Sequence, residues 1–170
     1  MKINPVLLGH FFFFNLGAWL ISTIFIDFFT VIAVFKNVSN IFEAGTVGMY
    51  VFSSFNKFEL IFGISLLGIS LINPLANVKV KRLMIFFSLT LLSIALYYNF
   101  FLSPKISTLT VQMNDIGLGN EGYRLLENSH ETFHKRYISI DSIKLLLLLI
   151  LLGLGIGKGR TFMDQQENVK

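Results

Sequence analysis

Four long apolar stretches dominate the chain, and short polar segments separate them. A helix needs about 20 mostly apolar residues to cross the hydrocarbon layer of a bilayer. By that measure, membrane spans are predicted at about residues 5–35, 46–72, 83–102 and 138–157. The pattern therefore predicts an all-α fold, an integral membrane four-helix bundle in which the whole chain, residues 1–170, forms a single membrane domain.

The polar segment between the third and fourth spans, residues 103–137, is predicted to lie outside the membrane. Ser103-Pro104 ends the third apolar run, and Gly117 and Gly119 interrupt the segment further on. Beyond the glycines, four residues recur on one helical stripe: Leu126, His130, Phe133 and Tyr137. This spacing predicts an external amphipathic helical segment that lies on the outer surface and leads into the fourth span.

The composition supports lipid as the principal partner. Hydrophobic residues make up 54% of the chain and charged residues only 14%, whereas a soluble domain is about 25% charged. The absence of cysteine from the sequence excludes disulfides and thiolate chemistry. We predict no cofactor and no nucleic-acid partner, and the apolar faces leave open self-association or contact with other membrane proteins.

Positive charge predicts the orientation, because cytoplasmic loops carry an excess of Lys and Arg. The tightest group, Lys79, Lys81 and Arg82, lies between the second and third spans. With four spans, that loop shares a side with both termini. The sequence therefore predicts a multi-pass protein of the cell membrane with cytoplasmic N- and C-termini and an outer 103–137 segment.

Two short motifs suggest chemistry. Residues 130–134 match H-E-x-x-H, which in zinc proteases places two histidines on one helical face. A catalytic zinc needs a third protein ligand, and Asp141 is the only nearby candidate. We predict no metal site, with His130 and His134 as weak candidates. Residues 153–159 resemble a phosphate loop but lack its first Gly and its Ser or Thr.

Small residues four apart predict close helix packing instead. Gly153 and Gly157 form such a pair in the fourth span, and Ala44 and Gly48 form another at the head of the second.

Ionisable residues inside the predicted spans are the most informative feature, because charge is costly in lipid and usually faces the bundle interior. Counted by helical rise, they collect toward the outer side of the bilayer. The predicted polar cluster contains Asp27, Lys57, Glu59, Asn99, His134, Tyr137, Asp141 and Lys144. Asp27 is the predicted partner of Lys57. A structural ion-pair cluster, snorkelling lysines and a transport or ligand site all fit this pattern.

Several short motifs occur in a characteristic order along the chain. They are Phe42–Gly48 with Phe52, Phe55 and Glu59 behind it, then Pro104-Lys105-Ile106, then Phe133-His134-x-x-Tyr137. In this order the chain resembles the domain-of-unknown-function 4149 family of small four-span membrane proteins, which includes transmembrane protein 205. The resemblance implies four spans and no assigned reaction, and it makes His134 a family position rather than a zinc ligand.

The sequence thus predicts a multi-pass membrane protein with a structural or accessory role in a membrane assembly. The alternative is small-molecule or ion transport or binding through the polar cluster, and the remote alternative is an H-E-x-x-H membrane metalloprotease.

Overall fold

The computed structural model describes residues 5–72 and 78–167, without the side chains of Pro5, Ile41 and 157–167. Within these ranges the chain is helical except at two short connections. The elements in chain order are α1 (Pro5–Phe25), a first π turn (Ile26–Thr30), α2 (Val31–Asn37), α3 (Ile41–Ile72), α4 (Val78–Tyr97), a second π turn (Tyr98–Leu102), α5 (Ser103–Ile116) and α6 (Glu121–Glu167).

The two π turns do not end their helices. The residues that follow them, Val31 and Ser103, keep right-handed helical φ and ψ angles, so α1 continues into α2 and α4 into α5. Four continuous helices result. Each holds a stretch long and apolar enough to cross a membrane: Val6–Asn37, Phe42–Ile72, Val78–Ile116 and Glu121–Ile156. The predicted all-α four-helix architecture is therefore confirmed.

The third helix passes through Ser103-Pro104, where the sequence predicted its end. Proline removes one helical hydrogen bond and its ring crowds the preceding turn. The second π turn ends at Leu102, two residues before Pro104, and the Ser103 amide donates to the Tyr98 carbonyl five residues earlier. The wider turn gives the ring room, so the helix continues to Ile116 instead of stopping.

The 103–137 segment forms a helical hairpin rather than a separate surface helix. The predicted break at the two glycines is present, since Gly117 and Gly119 adopt positive φ angles of 74° and 95°. α5 and the first part of α6 pack on either side of this turn. α6 runs for 47 residues without interruption, about 70 Å, and so extends well beyond a hydrocarbon layer of about 30 Å. The turn at 117–120 marks what we call the hairpin end of the bundle.

Apolar side chains fill one long part of the interior and also cover much of the outside. The larger core includes Leu16, Trp19, Leu66, Leu91 and Leu148, all fully buried. Many large apolar residues face outward, Phe14 being 75% exposed and Phe101 69%. Outward apolar faces of this extent are typical of helices that contact lipid.

Close helix approach occurs at glycines other than the predicted pairs. A Cβ on Gly155 would lie 2.9 Å from the Phe13 ring, so α6 meets α1 there. A Cβ on Gly153 or Gly48 would meet nothing within 4 Å. Ala44 is buried, while the surroundings of Gly157 lie outside the described side chains. The glycine facing the neighbouring helix is thus two residues from the predicted one.

Candidate functional site: a buried charge cluster

Lys144 of α6 lies at the centre of a charge cluster in the bundle interior. Its side chain is fully buried, and its ammonium group donates a hydrogen bond to Glu59 Oε1 of α3 at 2.5 Å. It also pairs with Asp141, one turn earlier on α6. Glu59 is fully buried and Asp141 nearly so. A buried ammonium group requires such partners, because an isolated charge in this environment would cost several kcal/mol.

Trp19 ties α1 into the same contact. Its indole Nε1–H donates to Glu59 Oε1 at 2.9 Å, and the ring is fully buried. One carboxylate oxygen therefore joins α1, α3 and α6. The second oxygen, Glu59 Oε2, has no hydrogen-bond partner among the described residues.

Asp27 enters the cluster from the first π turn. It is half-buried and interacts electrostatically with Asp141, Lys144 and Glu59. π turns inside α-helices occur often at functional sites, because the additional residue changes which side chains face inward. In this chain the first π turn carries Asp27 and the second carries Tyr98.

Tyr98 and Tyr137 form a second polar layer beside the charges. Their rings stack with centroids 4.3 Å apart and planes 10° apart. The Tyr98 hydroxyl donates to the Tyr137 carbonyl at 3.0 Å, and the Tyr137 hydroxyl donates to Asn56 Oδ1 at 3.1 Å. Asn56 Nδ2 in turn donates to Ser103 Oγ at 2.5 Å.

Aromatic rings surround the ammonium group as well. Lys144 Nζ lies 5.3 Å from the Tyr98 ring centroid and 5.7 Å from that of Phe55. Such contacts add cation–π attraction, which is stronger in a desolvated site. The charge of Lys144 is thus held by two carboxylates and two rings, all inside the bundle.

The structure brings together five of the predicted polar residues: Asp27, Glu59, Tyr137, Asp141 and Lys144. It leaves Lys57, Asn99 and His134 outside the cluster.

The predicted Asp27–Lys57 pair is wrong. Lys57 is exposed and forms no ion pair within the described parts of the chain, and Asp27 interacts with the charges of Asp141 and Lys144 instead. Residues two apart on a helix point about 200° apart. With Glu59 turned into the bundle, Lys57 must point outward.

Four members of the site were missed by sequence reasoning: Trp19, Asn56, Tyr98 and Ser103. A lone Trp, Asn, Tyr or Ser in a span gives a weaker signal than a charge, because each is also common at helix surfaces and membrane interfaces. The one available clue was Asn56, which lies three residues before Glu59 and therefore on the same face of α3.

The H-E-x-x-H residues lie on α6 in the hairpin and not in the cluster. His130 and His134 stack with ring centroids 6.1 Å apart, while Glu131 pairs with Lys135 at 2.7 Å on the exposed face. Among the described residues, no group of three His, Cys, Asp or Glu side chains is placed to hold a metal ion. The motif lies on a helix, as its spacing requires, but no third ligand joins it there.

Two depressions in the protein surface lie away from the cluster. One, of about 480 Å³, is lined by residues of α5 and α6 that include Asp115 and Leu125. The other, of about 320 Å³, lies between α1 and α3 and includes Asn15 and Ser65. Neither is lined by a residue of the charge cluster.

Since comparison with known proteins identifies no relative, the class of this protein is inferred from its fold and its charge cluster. The chain matches no family model, and no curated protein or solved structure shows significant similarity to it. Four long apolar helices around a buried polar layer define a small multi-pass membrane protein with an all-α bundle fold.

Proposed function

We propose that this chain is a structural or accessory component of a membrane assembly, in which the buried charge cluster fixes how the helices pack. The observation that carries the proposal is the internal pairing of Lys144. Its ammonium group is fully buried and held by Glu59 and Asp141. A permeating cation would have to compete with a cation that the protein itself supplies.

Association between membrane helices depends on packing and on polar contacts, because lipid is as apolar as the side chains. A charge in a span must face its partner or remain unpaired in lipid. The cluster joins α1, α3 and α6 through Trp19, Glu59 and Lys144, so any other register of these helices would separate charges. This stabilises one arrangement and leaves the apolar outer faces free for lipid, a second copy or another membrane protein.

Membership of the domain-of-unknown-function 4149 family and an inner position of both termini remain part of the proposal. The residue order that carries the resemblance and the Lys79/Lys81/Arg82 group support them. In this cysteine-free chain, Asn120→Cys should react with a membrane-impermeant maleimide in intact cells. Ala76→Cys, at a position outside the described residues, should resist it. The reverse labelling would contradict the orientation.

A second candidate function, ion or small-molecule handling, has one observation in its favour. Three carboxyl groups, those of Asp27, Glu59 and Asp141, surround one ammonium group. Surplus carboxyl groups inside a membrane bundle are typical of ion and proton pathways. The hypothesis of an H-E-x-x-H protease has no comparable support, since no third ligand joins the two histidines within the described region.

Reconstitution distinguishes the two candidates. Purified protein in liposomes should give no proton or alkali-cation flux above that of protein-free liposomes. Native mass spectrometry after mild extraction from its own membrane should show the chain in a complex larger than one copy. Flux that is lost in Glu59→Gln but kept in the exposed control Glu43→Gln would overturn the structural proposal in favour of the transport one.

A further inference from the structure

We propose that the crevice between α1 and α3 binds a flat carbonyl compound of the quinone class that is dissolved in the bilayer. This crevice is the depression of about 320 Å³ described above, and it lies apart from the charge cluster. A binding site there goes beyond the structural role proposed for the bundle. Four apolar and two polar side chains line it: Leu8, Phe11, Phe14 and Ile69, with Asn15 and Ser65.

Asn15 is the side chain that points most directly to a ligand. It is only 8% exposed, and its Oδ1 atom is sealed from solvent without a hydrogen-bond partner in the described part of the chain. Asn56 shows how a satisfied amide behaves in this bundle, since it accepts a hydrogen bond from Tyr137 and donates one to Ser103. An unpaired buried amide is costly, so its presence in the lining of a crevice needs an explanation.

Ser65 of α3 adds a second unsatisfied group to the same lining. Serine hydroxyls elsewhere in these helices donate to the carbonyl four residues earlier, as those of Ser70 and Ser93 do. Ser65 makes no hydrogen bond of this kind within the described residues. The amide of Asn15 and the hydroxyl of Ser65 both carry hydrogens that can be donated. Together they suit a ligand that presents a carbonyl oxygen.

The depth of the crevice limits what can satisfy these two groups. Asn15 lies ten residues after the start of α1 at Pro5, and Ser65 lies seven residues before the end of α3 at Ile72. These spacings correspond to about 15 Å and about 10 Å along the helices, which is well inside a hydrocarbon layer of about 30 Å. A phospholipid keeps its polar groups at the membrane surface, and its acyl chains cannot hydrogen-bond.

The shape of the crevice favours a small flat molecule over another helix. Phe14 is 75% exposed and Phe11 55%, so both rings project beyond the recessed Asn15. A helix that packed here would meet these rings first, and its backbone groups are already bonded internally. The volume of about 320 Å³ is near the lower limit of ligand pockets. It is therefore large enough for a head group but not for a whole lipid.

A quinone combines the features that this lining requires. Its flat ring can pack against the rings of Phe11 and Phe14, since aromatic pairs attract beyond their area of contact. Its carbonyl oxygens can accept hydrogens from Asn15 and Ser65. Its apolar tail can remain in the lipid outside the crevice, which explains why the site is open toward the membrane and has no charged side chain in its lining.

Tryptophan fluorescence of the full chain in liposomes tests the proposal. Trp19, the single tryptophan of the chain, lies one turn after Asn15 on α1 and is therefore close enough to report on the crevice. Decylubiquinone, a quinone with a short alkyl tail, should quench this fluorescence saturably in wild-type protein. Decylbenzene, which has a ring but no carbonyl group, should not displace it. Quenching that never saturates, or equal displacement by decylbenzene, overturns the proposal.

Variants of the two polar residues show whether the quinone is bound by its carbonyl groups. Asn15→Leu and Ser65→Ala should each raise the half-saturating quinone concentration by about 2- to 10-fold, the effect of one lost neutral hydrogen bond. The exposed controls Asn128→Leu and Ser54→Ala should leave it unchanged. Equal half-saturation in all variants overturns the proposal. If Asn15→Leu fails to fold, the comparison of Ser65→Ala with Ser54→Ala decides.

Thermal melts give a readout that does not depend on Trp19. A ligand that binds only the folded protein raises its melting temperature. Decylubiquinone should therefore raise the melting temperature of wild type and of Ser54→Ala, and should raise that of Ser65→Ala less. An equal rise in all three proteins would show that the quinone acts through the surrounding lipid, and it would contradict a site between α1 and α3.

Discussion

The apolar core and the charge cluster hold the same four helices together by different means. The core, with Leu16, Leu66 and Leu91, consists of dispersed contacts whose partners could be exchanged for other apolar side chains of similar volume. The cluster consists of a few contacts between opposite charges and hydrogen-bonding groups, for which an apolar side chain cannot substitute. In lipid, apolar burial gives helices little reason to associate, so polar contacts of this kind favour one register while the core fills the space around them.

The largest effect is expected at Lys144. Among the described residues, Lys144→Met removes the one ammonium group paired with Glu59 and Asp141, and breaking a buried pair from one side costs about 3–5 kcal/mol. Lys57→Met removes an exposed lysine from the same bundle and should leave the unfolding free energy nearly unchanged. Denaturation in detergent, followed by circular dichroism, measures both. Equal losses of unfolding free energy in Lys144→Met and Lys57→Met would show that the buried lysine stabilises the fold no more than an exposed one.

The polar layer next to the charges should be less sensitive. Tyr137→Phe keeps the ring stack with Tyr98 but removes the hydrogen donated to Asn56. A buried acceptor without a partner costs about 1–3 kcal/mol. The matched control is Tyr50→Phe, at a position 73% exposed. If the same melts show no difference between the two variants, the hydroxyl of Tyr137 does not stabilise the fold.

The apolar packing should be the most tolerant. Gly155→Ala places a methyl group 2.9 Å from the Phe13 ring and 3.1 Å from the buried Phe12 ring, and the Phe13 ring must shift to make room. Because Phe13 is only half-buried, we expect a cost of about 1 kcal/mol, at the low end for overpacking. Gly153→Ala has free space and gains the same helix propensity, so comparing the two isolates the contact. A less stable Gly153→Ala would show that α6 faces α1 through the predicted glycine after all.

Much of this architecture could be predicted from the apolar pattern, and the errors have specific causes. Four apolar stretches gave four helices, because no other structure satisfies the backbone across lipid in one segment. The third helix was predicted to end at Pro104 because proline usually stops a helix. The second π turn compensates for the proline, and no residue preference at Tyr98–Leu102 signals such a turn.

The candidate site shows a similar limit. Charges in spans pointed to Glu59, Asp141 and Lys144, since lipid makes any charge conspicuous. Which face of each helix turns into the bundle was harder to predict. Lys57 and Glu59 point to opposite sides of α3, and the sequence alone does not say which side is inside. The predicted partner of Asp27 was wrong because Lys57 is exposed and faces away from the bundle interior.

The central claim is that the Lys144–Glu59 contact is a coupled pair that specifies the bundle, and a double-mutant cycle tests it most directly. Unfolding free energies are compared for wild type, Lys144→Met, Glu59→Met and the double variant in one detergent. Lys144→Met leaves the carboxyl groups of Glu59 and Asp141 without their ammonium partner, and Glu59→Met leaves Lys144 with Asp141 alone. Each single change already removes the Lys144–Glu59 contact, so the double variant should lose less than the sum of the single losses. We expect a coupling of about 0.5–3 kcal/mol. Losses that add within about 0.5 kcal/mol would contradict the claim.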